Sequence, residues 1–388
     1  MSGPRVKILK NGVVNRDVSG LGVDHLNDVD LHDISQVEIV KGPSSLLYAN
    51  GTIGGIINIV DDCISALNYE LPEISVGYET QSVNDGNAEN FNFKNNINGF
   101  NVNFGYKNID FGNYDIPSGA ILHEEEDHDD HDEDEHHDED MGFLNNSDYA
   151  VEATKFGISK VGDWGYVGFS VDNLESVYGI PFHGDEHGDE HGDEEEHDEH
   201  GDEEEHDEHG EERIFSTTDS ESFTIKGSYN INGSLINKID FNYRDSDYSL
   251  TEAHEEEEHH EEEEHDEEEE HEEHAPTVFM NEAVEYGATF DISNDSSTQK
   301  VVVNFVDEDN SIVGEEAFMN PANSKEFTIG YYLSKDLGIY DLDIGFRHDQ
   351  IERSGSVSEE EHGDHHDDDH GDDHGDEHGD EHGDEHGD

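Results

Sequence analysis

Val37-Glu38-Ile39-Val40-Lys41-Gly42-Pro43-Ser44-Ser45-Leu46-Leu47-Tyr48, followed by Gly51-Thr52-Ile53-Gly54-Gly55-Ile56-Ile57-Asn58-Ile59-Val60, is the stretch whose reading decides the fold. A short apolar run leads to a Gly-Pro pair, where Pro43 fixes φ and opens a helical turn. Gly51, Gly54 and Gly55 then allow close backbone packing before a final strand. Outward to the N-terminal side, residues 4–62 keep the same character. Short β-like segments at 6–9, 37–40 and 55–60 are separated by turns containing Gly and Asp.

From about residue 72 the pattern changes to alternation with period two, the mark of half-buried strands. Ile239, Phe241 and Tyr243 interleave with Lys238, Asp240, Asn242 and Arg244. Tyr340, Leu342, Ile344 and Phe346 do the same with Asp341, Asp343, Gly345 and Arg347. About eleven such strands are expected, near 73–79, 90–98, 100–110, 149–159, 163–172, 221–231, 235–247, 284–292, 299–306, 325–334 and 338–349. Tight turns at 98–99, 160–162, 232–234, 293–298 and 335–337 alternate with long connections at 80–89, 111–148, 173–220, 248–283, 307–324 and from 350 onward. In an up-and-down sheet alternate connections share an end. Long loops on one side and short turns on the other is the plan of an outer-membrane barrel. A β-sandwich also alternates, but an unbroken meander disfavours it. So do aromatic residues near strand ends (Trp164, Tyr166, Tyr243, Tyr331, Tyr340), expected on the lipid face as an interfacial girdle, opposite a polar, Gly-rich lumen face.

The net charge of −85 over 388 residues is concentrated in four runs, 123–140, 183–212, 254–274 and 359–388. They hold 62 acids, 26 of the 29 histidines, 11 glycines and no Lys or Arg. The other residues carry only 41 acids against 18 bases, so the scaffold is moderately acidic and the excess belongs to insertions. Nucleic acid is a poor partner for such a chain, because phosphate binding needs Lys and Arg. A single cysteine, Cys63, excludes a disulfide framework and a Cys-based zinc site within the chain. The longest apolar stretch, 53–60, is too short for a transmembrane helix. No signal peptide opens the sequence, which taken alone suggests a cytosolic protein and is also what a piece lacking its natural N-terminus would show.

The two quoted blocks strongly resemble the end of the plug domain of TonB-dependent receptors, through Gly42, Pro43, Tyr48, Gly51, Gly54, Gly55 and Asn58. The resemblance implies an all-β membrane protein. Residues 1–62 correspond to the C-terminal half of a plug, 63–71 to a plug–barrel linker, and 72–388 to the N-terminal half of a transmembrane β-barrel, about 11 of about 22 strands. It also implies outer-membrane lipid around the barrel, a TonB–ExbB–ExbD energising complex as partner, and no catalysis. The signal sequence, TonB-contact segment, first half of the plug and last strands are expected to belong to a longer product. Within the family the chain looks most like the zinc-type receptors, which have a similar plug segment around Asp24-His25 and His-rich loops. Tyr178-Gly179-Ile180-Pro181-Phe182-His183 resembles the lead into a receptor loop.

The chemistry of the runs points to metal. Neutral imidazole suits zinc, copper and nickel, and carboxylates add charge attraction and oxygen ligands. His183, His187 and His191 recur every fourth residue with Gly in each repeat, which disfavours a helix and makes a flexible chelating tether. The candidate ligands are His25 in the plug; His128, His131, His136 and His137; His183, His187, His191, His197, His200, His206 and His209; and His254, His259, His260, His265, His271 and His274. No His-Glu-x-x-His pattern supports a zincin protease, and no run has the Gly of a Ca²⁺-binding loop at position six. Acidic loops that only solvate the surface would need no histidine. The expected function is uptake of zinc or another divalent transition metal, as cargo rather than catalytic cofactor. A siderophore, haem or cobalamin receptor with incidental acidic loops, and a surface metal buffer that does not transport, are the alternatives.

Overall fold

The structure, a computed structural model, describes residues 6–17, 34–49, 54–117, 142–181, 213–231, 235–255, 275–314 and 317–356, with the single residues 120 and 233. Four short strands come first: β1 (Lys7–Lys10), β2 (Val13–Val14), β3 (Ile34–Val40) and β4 (Ile56–Asp61), in the order β2-β1-β4-β3. β1 runs parallel to β4, and β3 antiparallel to it. Leu9 and Ile56 are sealed between them. Pro43 sits in the first turn of a 3₁₀ helix, Gly42–Leu47, as its fixed φ predicts, and the Tyr48 N–H closes the turn onto the Ser45 carbonyl at 3.1 Å. Gly55 has φ +107°, and a Cβ there would stand 2.8 Å from the Val40 carbonyl oxygen. No L side chain fits that position. Asn58, buried in the apolar strand β4, accepts from the Gly12 N–H at 2.8 Å and donates to Glu38 at 2.8 Å, tying the β1–β2 turn to β3.

Eleven longer strands follow: β5 (Glu73–Gln81), β6 (Gly86–Ile97), β7 (Phe100–Phe111), β10 (Tyr149–Gly162), β11 (Gly165–Gly179), β12 (Arg213–Asn230), β13 (Lys238–Glu255), β14 (Thr277–Asp291), β15 (Thr298–Val313), β16 (Ala322–Asp336) and β17 (Asp341–Gly355). They form one sheet in chain order, each strand antiparallel to the next, with β5 and β17 at its edges. A two-residue ribbon, β8 (Tyr114–Asp115) with β9 (Phe143–Leu144), stands at the base of one long connection.

The expected strands are all present, but the long connections are shorter than alternation suggested. β12 begins at Arg213 rather than near 221, and β13 runs on to Glu255. Strand pairing carries into the polar, acidic flanks because each ladder bond satisfies a backbone group whatever the side chain. The connection expected at 80–89 is a four-residue turn at 82–85, and that at 307–324 shrinks to 314–321.

The two faces are set by alternation. One carries Phe91, Phe104, Phe169, Phe223, Tyr243, Tyr286, Phe305 and Phe327, with neighbouring rings 4.9–6.4 Å apart across β6–β7, β11–β13 and β14–β16. The other face meets the small sheet. Lys10 reaches Asp172 on β11, Arg16 reaches Glu285 on β14 and Glu308 on β15, and the 3₁₀ helix lies on β16 and β17. A sheet that touches one small body from β11 to β17 must curve around it, so this is the inner face. Tyr166, expected in the lipid-facing girdle, is instead on this inner face, paired with Ser228. Trp164 lies in the intervening turn with its ring 6.4 Å from outward Tyr229. The inner face is also not polar throughout. At its loop-side end Tyr178, Ile214, Tyr248, Leu250, Phe279 and Ile312 form a buried apolar cluster with Ile180.

Candidate functional site

The described parts of the site are a rim, where the long connections leave the sheet, and a lumen filled by the small sheet. The rim follows from register. Tyr149 pairs with both Phe111 and Tyr178, Gly179 with Phe215, Arg213 with Glu255, Glu252 with Thr277 and Ala322 with Gly355. The strand ends that flank the four His/acid runs therefore lie at one end of the sheet. Of the candidate ligands only His254 is within the described residues. It is half-buried near the end of β13 on the inner side, opposite Ile214. His25, the candidates of the runs 123–140 and 183–212, and His259, His260, His265, His271 and His274 lie outside the described residues, as does Gly51. Among the described residues no group of three or more His, Cys, Asp or Glu is placed to hold a metal ion.

Just below the rim the outward side chains are acidic. Glu152 faces Glu175, which faces Asp219; Glu221 faces Asp247, then Glu282, then Asp309. All seven are exposed. Like charges directly opposite oppose pairing by a few tenths of a kcal/mol each in water. In hydrocarbon the cost of a charge is about 2–4 kcal/mol at the midplane, so this row marks where the strands have left the lipid.

Inside, the contacts between plug and wall are ionic and buried. Arg16 Nη2 is 2.8 Å from Glu285 and its Nε is 3.3 Å from Glu308. Burial works against the Arg16 cation, but Glu285 and Glu308 outweigh it and hold its pKa above the usual value. Lys10 Nζ is 2.8 Å from Asp172, and there too burial is outweighed, by Asp172 and Asp61. Burial also acts to raise the Asp61 carboxyl, yet Lys10 and Lys155 keep it below the usual carboxylate range. On β17, Arg347 donates from Nη1 to the Leu46 carbonyl at 3.0 Å while binding Asp349 at 2.7 Å and Glu326 at 3.2 Å. A Cβ on Gly345 would come within 2.7 Å of the Pro43 carbonyl oxygen, so the wall is notched where the 3₁₀ helix seats.

The segment between the two sheets crosses the inner wall on side-chain donors. Asn103 donates to the Asp62 carbonyl at 3.1 Å, Asn101 to Leu67 at 3.0 Å and Ser159 to Ser65 at 2.7 Å. Cys63 is buried here, and burial with the nearby Asp172 and Asp61 charges pushes its thiol well above the ordinary value. None of these partners was legible beforehand. Arg16 and Glu285 are 269 positions apart, and only their unusual placement, a cation and an acid on otherwise small or neutral surfaces, hints at them.

Residues 1–56 match the family model of the TonB-dependent Receptor Plug Domain. A hemin receptor of Yersinia enterocolitica is 38% identical over 65 residues, which is 16% of this chain and 9% of that protein. Among solved structures, the FrpB iron transporter from Neisseria meningitidis superposes with TM-score 0.62 at 11% identity, over 90% of this chain and 52% of that one. The copper transporter OprC gives 0.63 at 10%, over 92% and 49%. The siderophore receptor PirA from Acinetobacter baumannii gives 0.54 at 14%, over 91% and 50%. The chain thus spans about half the length of the solved receptors it matches. The plug-domain match together with a sheet of this barrel fold places the chain in the outer membrane of a Gram-negative bacterium.

Proposed function

We propose that this chain is part of a TonB-dependent receptor that takes up zinc, or a similar divalent transition metal, across the outer membrane. The observation that carries the reading is that the strand ends flanking the four His/acid runs share one end of the sheet. Imidazole and carboxylate at that density raise the local metal concentration and draw cations toward the lumen. Single sites are weak and shifting, since fixing a loop residue costs about 1–2 kcal/mol. In this reading His254, half-buried on the inner side of β13, and His25 of the plug sequence are among the metal ligands, and the TonB–ExbB–ExbD complex supplies the work. The protein acts as a receptor, not an enzyme, with metal as cargo. Calorimetry on the full chain in detergent with Zn²⁺, Ni²⁺, Cu²⁺ and Ca²⁺ tests this. Binding of the transition metals is expected to exceed that of Ca²⁺ and to weaken below about pH 6.5 as imidazole protonates. Preference for Ca²⁺ would overturn it. Similar proteins named for siderophore and hemin favour a second reading, a siderophore, haem or cobalamin receptor with incidental acidic loops. In that case deleting the four runs would leave growth on limiting zinc unchanged.

A further inference from the structure

We propose that the space between plug strand β1 and wall strands β11–β13 binds one small inorganic anion. Two cavities, of about 40 Å³ and about 10 Å³, flank the Lys10–Asp172 pair. Arg244 lines both, with Lys226 and Asn242 on the smaller and Ser222 on the larger. Arg244 is only 9% exposed, and its Nε is buried without a hydrogen-bond partner. Among the described residues neither Arg244 nor Lys226 makes a hydrogen bond or an ion pair within 4 Å.

The acids that could serve them are already engaged. Asp172 is held by Lys10 at 2.8 Å, and Glu285 by Arg16 at 2.8 Å and by Asn304 at 2.9 Å. Asp61 receives bonds from Asn11 at 3.1 Å and the Cys63 N–H at 3.0 Å. Two cations thus reach this space with no acid left to pair with them, Arg244 at both cavities and Lys226 at the smaller one, and a buried charge left unmatched is costly. The larger cavity is lined by the Arg244 guanidinium, the Lys10 ammonium, the Asn15 amide and the Ser222 hydroxyl, the donor set an anion takes, alongside the Asp172 carboxylate that Lys10 already binds. A water needs about 10–15 Å³ of such space, so 40 Å³ admits a halide or one compact oxyanion and excludes a metal chelate. The site is therefore separate from the route of the cargo.

The full chain in detergent is unfolded thermally at constant ionic strength while sodium gluconate is exchanged for chloride, bromide or phosphate. A saturable rise in Tm with halide or phosphate is expected, and the anion that acts at the lowest concentration identifies the source. Arg244→Gln should weaken that response by about tenfold or more. Lys226→Met should weaken it too, and it carries the test if the arginine variant does not fold. A bromide-soaked crystal should show anomalous density within hydrogen-bonding reach of Arg244. A Tm that does not distinguish the anions, equal responses in wild type and variants, or water alone in the cavity would each overturn the proposal.

Discussion

The lower and upper parts of the same strands have opposite chemistry. On β13, Ile239, Phe241 and Tyr243 face out and Arg244 faces in. A few residues on, Asp247 faces out while Tyr248 and Leu250 are buried within. β12 and β14 reverse in the same place, with Phe223 and Tyr286 outward below and Ile214 and Phe279 inward above. Register is unbroken across the change. Alternation has two phases, and the solvent on the outside selects between them. Lipid outside calls for apolar residues outward and leaves the inner wall to meet a polar plug. Water outside returns the strands to the ordinary arrangement of a soluble sheet, with apolar side chains turned inward.

Substitutions in the two zones should have effects of different size and kind. The largest effect is expected at the polar inner wall of the lower part. Arg16→Ala strands Glu285 as a buried acid without its cation and should cost about 3–5 kcal/mol, read as a lower unfolding temperature and faster proteolysis of the plug. In the upper part Leu250→Ala should cost about 2–5 kcal/mol, because the side chain is fully buried and its cavity cannot collapse freely. Charge placed on the outer face separates the two zones directly. Ala288→Arg, mid-band between Phe241 and Val303, should lower folding stability in vesicles by about 2–4 kcal/mol, whereas Met280→Arg, outward near the rim, should cost close to nothing. Equal costs would mean that the phase change does not mark the lipid boundary. The smallest effect belongs to the acidic row. Asp247→Asn, between Glu221 and Glu282, should stabilise by about 0.2–1 kcal/mol, and the gain should fade with added salt.

Strand number, order and the shared end of the long connections were legible because period-two alternation survives in each strand core. The Gly-Pro turn was legible too, since Pro43 and Gly55 admit few backbone conformations. Tyr166 was misplaced for a plain reason: an amphipathic tyrosine fits either face, and only counting from the Asp172–Lys10 contact settles its side. The inward cluster left a signal that was readable but unread, the shift of apolar positions from odd to even numbers after Asp245. The plug–wall pairs left almost none, because closeness across hundreds of residues is a property of topology. The His/acid runs speak through composition alone, and composition names a class of ligand without placing any atom of it.

The two edge strands, β5 and β17, run in the same direction, since eleven alternating strands separate an odd beginning from an odd end. That parity governs any closure. A second copy of this sheet, joined edge to edge about the barrel axis, would meet it through two parallel seams. An antiparallel closure instead needs an odd number of further strands, of which both outermost run toward the tight-turn side. The edges thus carry an arithmetic of their own: an odd complement keeps every seam antiparallel, and a twin does not.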